Sequence, residues 1–562
     1  MKKYYTLLIF VFCSFLLNAQ NYNIEIPTQR FQVDETNKII ICKIDITLIP
    51  DLSSYESVSL ELDNIYTFSS NPNLLSHQDS YIVERNGDDF SLYFTIFPLA
   101  AITSQFEIVD EPKRLADFVY ADDEEIKTSF MGVELRGGAS QTYPKKTYDL
   151  EFWEDPTGDE SIDLQFGDLR EDDDWILDAL YNEPLRLRAH SSHQLWLEMH
   201  TPHYINEEED AKAGANVMYI DLFLNNEYIG VYMLSEQVDR KQLKIKKYNN
   251  DIRGELYKAE YWVTGNCSYY GLPPFDNTNQ SWGGYKLKHP DPDDVISWDN
   301  LYNFTDFVIN SELPYFNNNI AASLQIENAL DYFIFLNLIR ATDNTGKNIY
   351  TARYNQDNPY FFVPWDLDGA FGTIWNGSDD PTTDDILSNG LFDKLIHETP
   401  TVQITNQIRA RWADLRQNGP LHTIALNSRL TGSYNLLKDN KVYEREALVW
   451  QNYPYSQDTK DYMDIWLLDR LEYLDDYFDF VLDTNEFKEK LIMLYPNPAN
   501  TSVTITRDSL DSEVYSVFSM SGALLKSGIL ESSTSVIAVD YLSSGVYLLK
   551  IGDATVKRLI IE

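Results

Sequence analysis

The chain has 562 residues, 43% of them apolar and 14% aromatic, with a formal net charge of −43. That length predicts two to four domains, and the apolar content suffices for a large core, so the chain is not a disordered acidic polymer. The charge excludes nucleic acid and anionic membrane surfaces as partners and favours basic partners or divalent cations.

Residues 1–19 read as a signal peptide: Lys2 and Lys3, an apolar stretch over 4–17, and Ala19 before Gln20. No other stretch carries 18 or more apolar residues, so no transmembrane helix is expected, and the mature protein is exported. Cys13 belongs to the signal. Cys42 and Cys267 either form one disulfide or stay as isolated half-buried thiols, their wide spacing favouring the second. Residues 20–109 alternate apolar and polar positions over 38–48, 57–62 and 90–97, which predicts a small β-sandwich. The acid runs at 171–174 and 207–210 read as solvated surface.

From 110 to 482 the pattern changes to mixed strand and helix. A strand over 130–135, a turn Arg136-Gly137-Gly138-Ala139-Ser140 and a strand over 145–152 follow one another. The glycine pair lets a backbone approach a phosphate, although a plain hairpin explains it as well. Lys146 shares parity with Tyr148, Leu150 and Phe152 on the apolar face, where a lysine needs an anionic partner, whereas Lys145 falls with Asp149 and Glu151. A helix is predicted over 182–199 with Asn182 as its cap, then a hairpin over 217–234 ending at Ser235-Glu236-Gln237, a strand over 254–260 containing Lys258, and helices over 299–310 and 326–339. Mostly helix is expected over 386–482. A charged linker follows at 483–493, and about seven short strands over 494–562 predict a second, separate β-sandwich.

The candidate chemistry lies at 340–372. Asp343 sits on the loop after the 326–339 helix, Asn348 comes five residues later, and a hairpin over 349–364 runs into Pro364-Trp365-Asp366-Leu367-Asp368. Phosphoryl transfer uses a carboxylate to accept the proton of the attacking hydroxyl, with an amide and a second carboxylate to hold Mg²⁺ on the nucleotide phosphates. The D-x-x-x-x-N spacing alone is equally explained by an aspartate capping a turn. Two carboxylates ending a buried strand are harder to explain by packing, and they mark Asp366, with Asp368 beside it, as functional.

The segments GVELRGGASQTYPKKTYDLEF, DLFLNNEYIGVYMLSEQVD, GELYKAE and FVPWDLDGAFG resemble the CotH family of atypical, extracytoplasmic protein kinases over roughly residues 110–482. The resemblance implies an α+β fold, a two-lobed protein-kinase-like core flanked by N-terminal and C-terminal all-β sandwiches. It further implies an ATP- and Mg²⁺-dependent (or Mn²⁺-dependent) transfer to Ser or Thr of a protein acceptor, basic or Ser/Thr-rich. By the same resemblance Asp343 matches the catalytic aspartate, Asn348 and Asp366 the metal ligands with Asp368 next to them, Lys146 or Lys145 the phosphate lysine, and Gly137, Gly138 and Ser140 the phosphate turn. Glu236 matches the hinge end, and Lys258 lies in the GELYKAE strand of the nucleotide site. The family's RGN is RGG here, and the 182–199 helix offers only Glu183 and Glu198 as partners for the lysine.

The tail resembles the C-terminal sorting domain of type IX secretion cargo through YPNPA at 495–499, Met520-Ser521-Gly522 and LSSGVYLLKI followed by Lys557. That implies the type IX machinery as a partner, a source among the Bacteroidetes, and a place outside the cell. Two other readings remain open: a kinase-fold pseudoenzyme working as a surface adhesin, and an adenylyl transferase using the same nucleotide.

Overall fold

The computed structural model describes residues 21–480, apart from 263, 399, 451 and 452, and residues 492–561, apart from 508–511, 520–522, 553 and 554. The signal-peptide reading, most of the linker reading and the Met520-Ser521-Gly522 turn lie outside the described residues. The protein mixes α and β structure. Among the described residues no helix is long and apolar enough to cross a membrane.

The first strands form one seven-stranded sheet, in the order Asn21–Glu25, Ser57–Glu61, Ile65–Phe68, Ser80–Arg85, Asp88–Phe94, Ile39–Cys42, Phe31–Asp34. The strand Ile39–Cys42 is buried at all four positions because it is covered on both faces. Ile40 and Cys42 pack into the sheet's own core with Phe90 and Leu92. Ile39 and Ile41 instead meet Tyr93, Leu99, Phe223 and Tyr228, which seats the sheet against the next layer.

That layer is a closed barrel of seven strands, ordered Ile126–Leu135, Tyr148–Trp153, Asp174–Asp178, Glu227–Glu236, Val217–Leu224, Leu99–Thr103 and Arg114–Ala121. Leu99–Thr103, from within the first 109 residues, pairs parallel with Val217–Leu224 and helps to close it. Phe118, Phe152, Phe166 and Trp175 fill the interior. Asn225 and Asn226 both take positive φ, 51° and 65°, the backbone that a tight two-residue hairpin needs.

Beyond the barrel lies a five-stranded sheet, ordered Ser281–Trp282, Tyr285–His289, Glu255–Ala259, Ile349–Arg353 and Tyr360–Pro364, packed with helices. The helix Ile326–Ile339 has buried residues all round and is the centre of the largest core. Asn328, buried on that helix, exchanges two hydrogen bonds with the backbone of Phe362 and thereby fixes the last strand against it. Helices Val402–Gln417, Thr423–Asp439, Val442–Val449 and Gln457–Tyr477 complete this part. The tail forms a three-stranded and a four-stranded sheet around Val503, Ile505, Val517, Leu549 and Leu559.

Three local expectations change. The helix predicted over 182–199 starts at Arg188, because Glu183 turns back and accepts the N–H groups of Leu185, Leu187 and Arg188. The acid run at 171–174 is not bare surface: Asp172 is buried between Arg170 and Lys241. Both cysteines are free and fully buried rather than half-buried.

Candidate active site

The site begins at the end of the central helix. Arg340 closes that helix in the left-handed conformation and sends its guanidinium to Asp385, at 2.8 Å through both Nε and Nη2, and to Asp380 at 2.6 Å. The next turn, Thr342–Thr345, carries Asp343. Asn344, buried behind it, donates from Nδ2 to the carbonyls of Asn348 at 3.0 Å and Trp365 at 2.8 Å. One side chain thus ties the loop to both ends of the hairpin.

The hairpin register pairs Ile349 with Pro364, so the residues just outside it face each other. Asn348 Nδ2 donates to Asp366 Oδ2 at 2.9 Å, and both residues have positive φ, 56° and 58°. Left-handed backbone at a non-glycine residue is unfavourable and persists where surrounding contacts enforce it, commonly at functional sites. Asp343 is held apart from this pair: its carboxylate meets Lys347 Nζ at 3.3 Å and makes no hydrogen bond to Asn348 or Asp366.

Asp368 completes a concentration of negative charge. It accepts from Asn182 Nδ2 at 2.5 Å and from the Gly369 N–H at 2.8 Å. Burial, with the charges of Asp366 and Asp178, pushes its carboxyl well above the usual range. Asp178, at the end of a barrel strand, is raised in the same way by burial, with Asp366 a lesser cause. Asn182, read from sequence as a helix cap, instead spans Asp368 and the Trp375 carbonyl at 2.8 Å. Neither it nor Asp178 carries a sequence motif.

The glycine turn approaches the same carboxylates. Gly137 takes φ of 91°, and Ser140 Oγ folds back to the Arg136 carbonyl at 3.0 Å. Gly138 has open space about it. Tyr143 lies close enough to Asp368 for that charge to contribute, after burial, to raising its phenol.

The two lysines exchange the places expected of them, because the strand starts only at Tyr148 and its alternation does not extend back to them. Lys145 is fully buried, donating to the Val231 carbonyl at 2.6 Å and to Glu446 Oε1 at 2.7 Å. Burial pushes its amine down to about 7. Glu446, on the helix Val442–Val449, also meets Arg186 at 2.9 Å; burial would raise its carboxyl, but the two cations hold it below the usual range. Lys146 is half-buried and donates to the Gln141 carbonyl at 2.7 Å. The lysine's glutamate therefore comes from a late helix, far along the chain, and neither Glu183 nor Glu198 supplies it. Glu236 is buried as a backbone clasp, accepting from the N–H groups of Arg170 and Asn216.

Cations that do face the carboxylates are Arg136, whose guanidinium bonds Asp149 and lies 5.8 Å from the Trp365 ring centroid, and Lys258. Lys258 lies 4.0 Å from Glu260, its nearest carboxylate, and burial followed by Arg136 lowers its amine to about 8. Among the described residues one carboxylate trio, Asp163, Asp172 and Asp173, is compact enough to share an ion, but Lys241 already meets all three.

Residues 133–474, more than half of the chain, match the family described as CotH kinase protein. The chain belongs to the CotH kinase family. Residues 493–562 match the secretion system C-terminal sorting domain, which gives the protein a type IX sorting tail and a secreted or cell-surface location. Comparison with curated proteins finds no match. In CotH terms, the hairpin glycine of DLFLNNEYIGVYMLSEQVD is Gly230, and its φ of 101° and lack of a side chain make room for the Glu446 carboxylate.

Proposed function

We propose that this CotH protein is a secreted phosphotransferase with a two-lobed, kinase-like core, moving the γ-phosphoryl group of ATP to a Ser or Thr hydroxyl of a protein acceptor. The observation that carries the reading is the Asn348–Asp366 contact at 2.9 Å beside an Asp343 that is left free of it. The barrel and the helix-packed sheet act as the two lobes, with the glycine turn on one and the Asp343 loop on the other.

The donor set fits the implied groups. Asn348, Asp366 and Asp368 offer hard oxygen atoms, which Mg²⁺ and Mn²⁺ accept. A bound ion would supply neutralisation of the phosphate charge. Asp343 orients the acceptor hydroxyl and takes its proton as that oxygen bonds to the γ-phosphorus. The bond from the γ-phosphorus to the bridging oxygen breaks, and ADP leaves with the electron pair.

The test is incubation of the mature protein with ATP labelled separately at the α and γ positions. Transfer of the γ label alone supports this reading. Transfer of the α label would replace it with adenylyl transfer. Transfer of neither, with no metal-dependent nucleotide binding, would support a pseudoenzyme acting as an adhesin. An Asp366→Ala variant is expected to lose the thermal stabilisation that ATP and Mg²⁺ give together, and an unchanged melting shift would remove Asp366 from the site.

A further inference from the structure

Lys145, one of the lysines assigned by family resemblance, is not free to meet a phosphate. Lys145 has no exposed side-chain surface, spends two N–H groups on Val231 and Glu446, and lies 4.6 Å over the Tyr232 ring. Withdrawing it would leave a buried carboxylate with only part of its partners, which is strongly unfavourable. Lys146 gives one of its three N–H groups to the Gln141 carbonyl.

Another set of cations, which includes the Lys258 of the GELYKAE strand, lies near Asn348 and Asp366. Lys258 is directly opposite Tyr350 on one neighbouring strand and Lys286 on the other, so the three share a face of the five-stranded sheet. The Tyr350 ring meets Trp365 edge-on at 6.2 Å, and Trp365 in turn lies under Arg136. Trp365 immediately precedes Asp366, and Asn348 donates its N–H to the carbonyl of Ala259, next to Lys258, at 2.9 Å. Lys288, two residues from Lys286, also feels the Arg136 charge. Among the described residues neither Lys286 nor Lys288 has a carboxylate within salt-bridge distance, and Lys258 has one only at the 4.0 Å limit. In a chain of net charge −43, with 88 acidic side chains against 45 basic ones, three adjacent lysines with no carboxylate closer than 4.0 Å, beside an arginine whose Nη1 is on Asp149, favour an anion.

We propose that Arg136 and Lys258, with Lys288 beside them, hold the polyphosphate of the nucleotide, and that Lys145 is a structural lysine. This rests on the nucleotide reading above. It assigns to Arg136 a phosphate contact through the N–H groups that Asp149 leaves free, and to Lys258 a point charge.

Binding of ATP, AMP and inorganic tripolyphosphate, each with Mn²⁺, is measured by calorimetry and thermal shift. Arg136→Gln and Lys258→Met are expected to keep the melting temperature of the ligand-free protein while weakening ATP and tripolyphosphate at least tenfold and AMP little. Lys145→Met is expected to melt lower but, where folded, to bind ATP as the wild type does. Loss of ATP affinity in the Lys145 variant, with Arg136 and Lys258 variants binding normally, would overturn the proposal. Wild-type protein that binds tripolyphosphate but not ATP would keep the anion site and end the nucleotide reading; binding of neither would end both.

Discussion

Asp343 has a partly exposed carboxylate and a single cationic neighbour, Lys347, whereas the adjacent Asn344 is buried and bonded twice. The turn is therefore held by the amide, and the acid beside it stays partly exposed. Asp343→Asn is expected to leave the melting temperature and nucleotide affinity unchanged and to lower turnover by roughly two orders of magnitude or more, the scale of a lost general base. Unimpaired transfer beside an inactive Asp366→Ala control would return Asp343 to the role of a turn cap. His193 provides a second residue-level test. It is buried edge-on to Trp365, and burial lowers its imidazole to about 4, so it is neutral in the folded protein. As pH falls below about 6.5 the unfolded chain takes up the proton first. Its contribution is full above that pH and is lost on descent towards 4. In denaturant unfolding, the stability gap between wild type and His193→Gln is expected to narrow by about 2 kcal/mol between pH 7 and 4.5. A gap independent of pH would place a charged imidazole in the folded state.

The hairpin Val217–Leu224 with Glu227–Glu236 was visible in the sequence through alternation and Asn-Asn, yet the purpose of its glycine was not. Gly230 needs positive φ, and any Cβ there would run into Glu446 and Lys145. Gly230→Ala is thus expected to cost at least about 2 kcal/mol, combining backbone strain with displacement of a buried ion pair. Equal unfolding midpoints for the variant and wild type would show that the Glu446 carboxylate can move aside. The Lys145–Glu446 pair itself joins residues 301 positions apart, a separation at which no periodicity gives warning. Strand parity failed at Lys146 for a related reason: alternation holds only inside the ladder, and the ladder begins at Tyr148.

At the scale of the molecule, the seven-stranded sheet is built into the part that matches the CotH family. Asp221, on a barrel strand, receives Thr95 Oγ1 at 2.6 Å, Tyr228 Oη at 2.7 Å and the guanidinium of Arg445 at 2.9 Å. Arg445 is the neighbour of Glu446, so the sheet, the barrel and the helix that grips Lys145 meet at one buried group. The sorting tail has a separate core. Removing residues 494–562 is accordingly expected to leave melting and transfer activity intact while the protein stays inside the cell. Normal surface delivery of the shortened chain, followed by fractionation, would assign export to another segment.

The sequence by itself determined whatever depends on local pattern or a contiguous motif: the β-rich ends, the apolar helix at 326–339, the D-x-x-x-x-N loop, the PWDLD strand end and the sorting tail. Alternation, helical spacing and turn residues act over a few positions, and those are read without knowing the fold. Only the tertiary structure decided which charges meet. Asp178 and Asn182 join Asp368, Arg136 covers Trp365, and Glu446 takes Lys145 because a closed barrel and a late helix converge there. A buried ion needs a partner, but the partner's address is set by packing across hundreds of residues rather than by its neighbours in the chain.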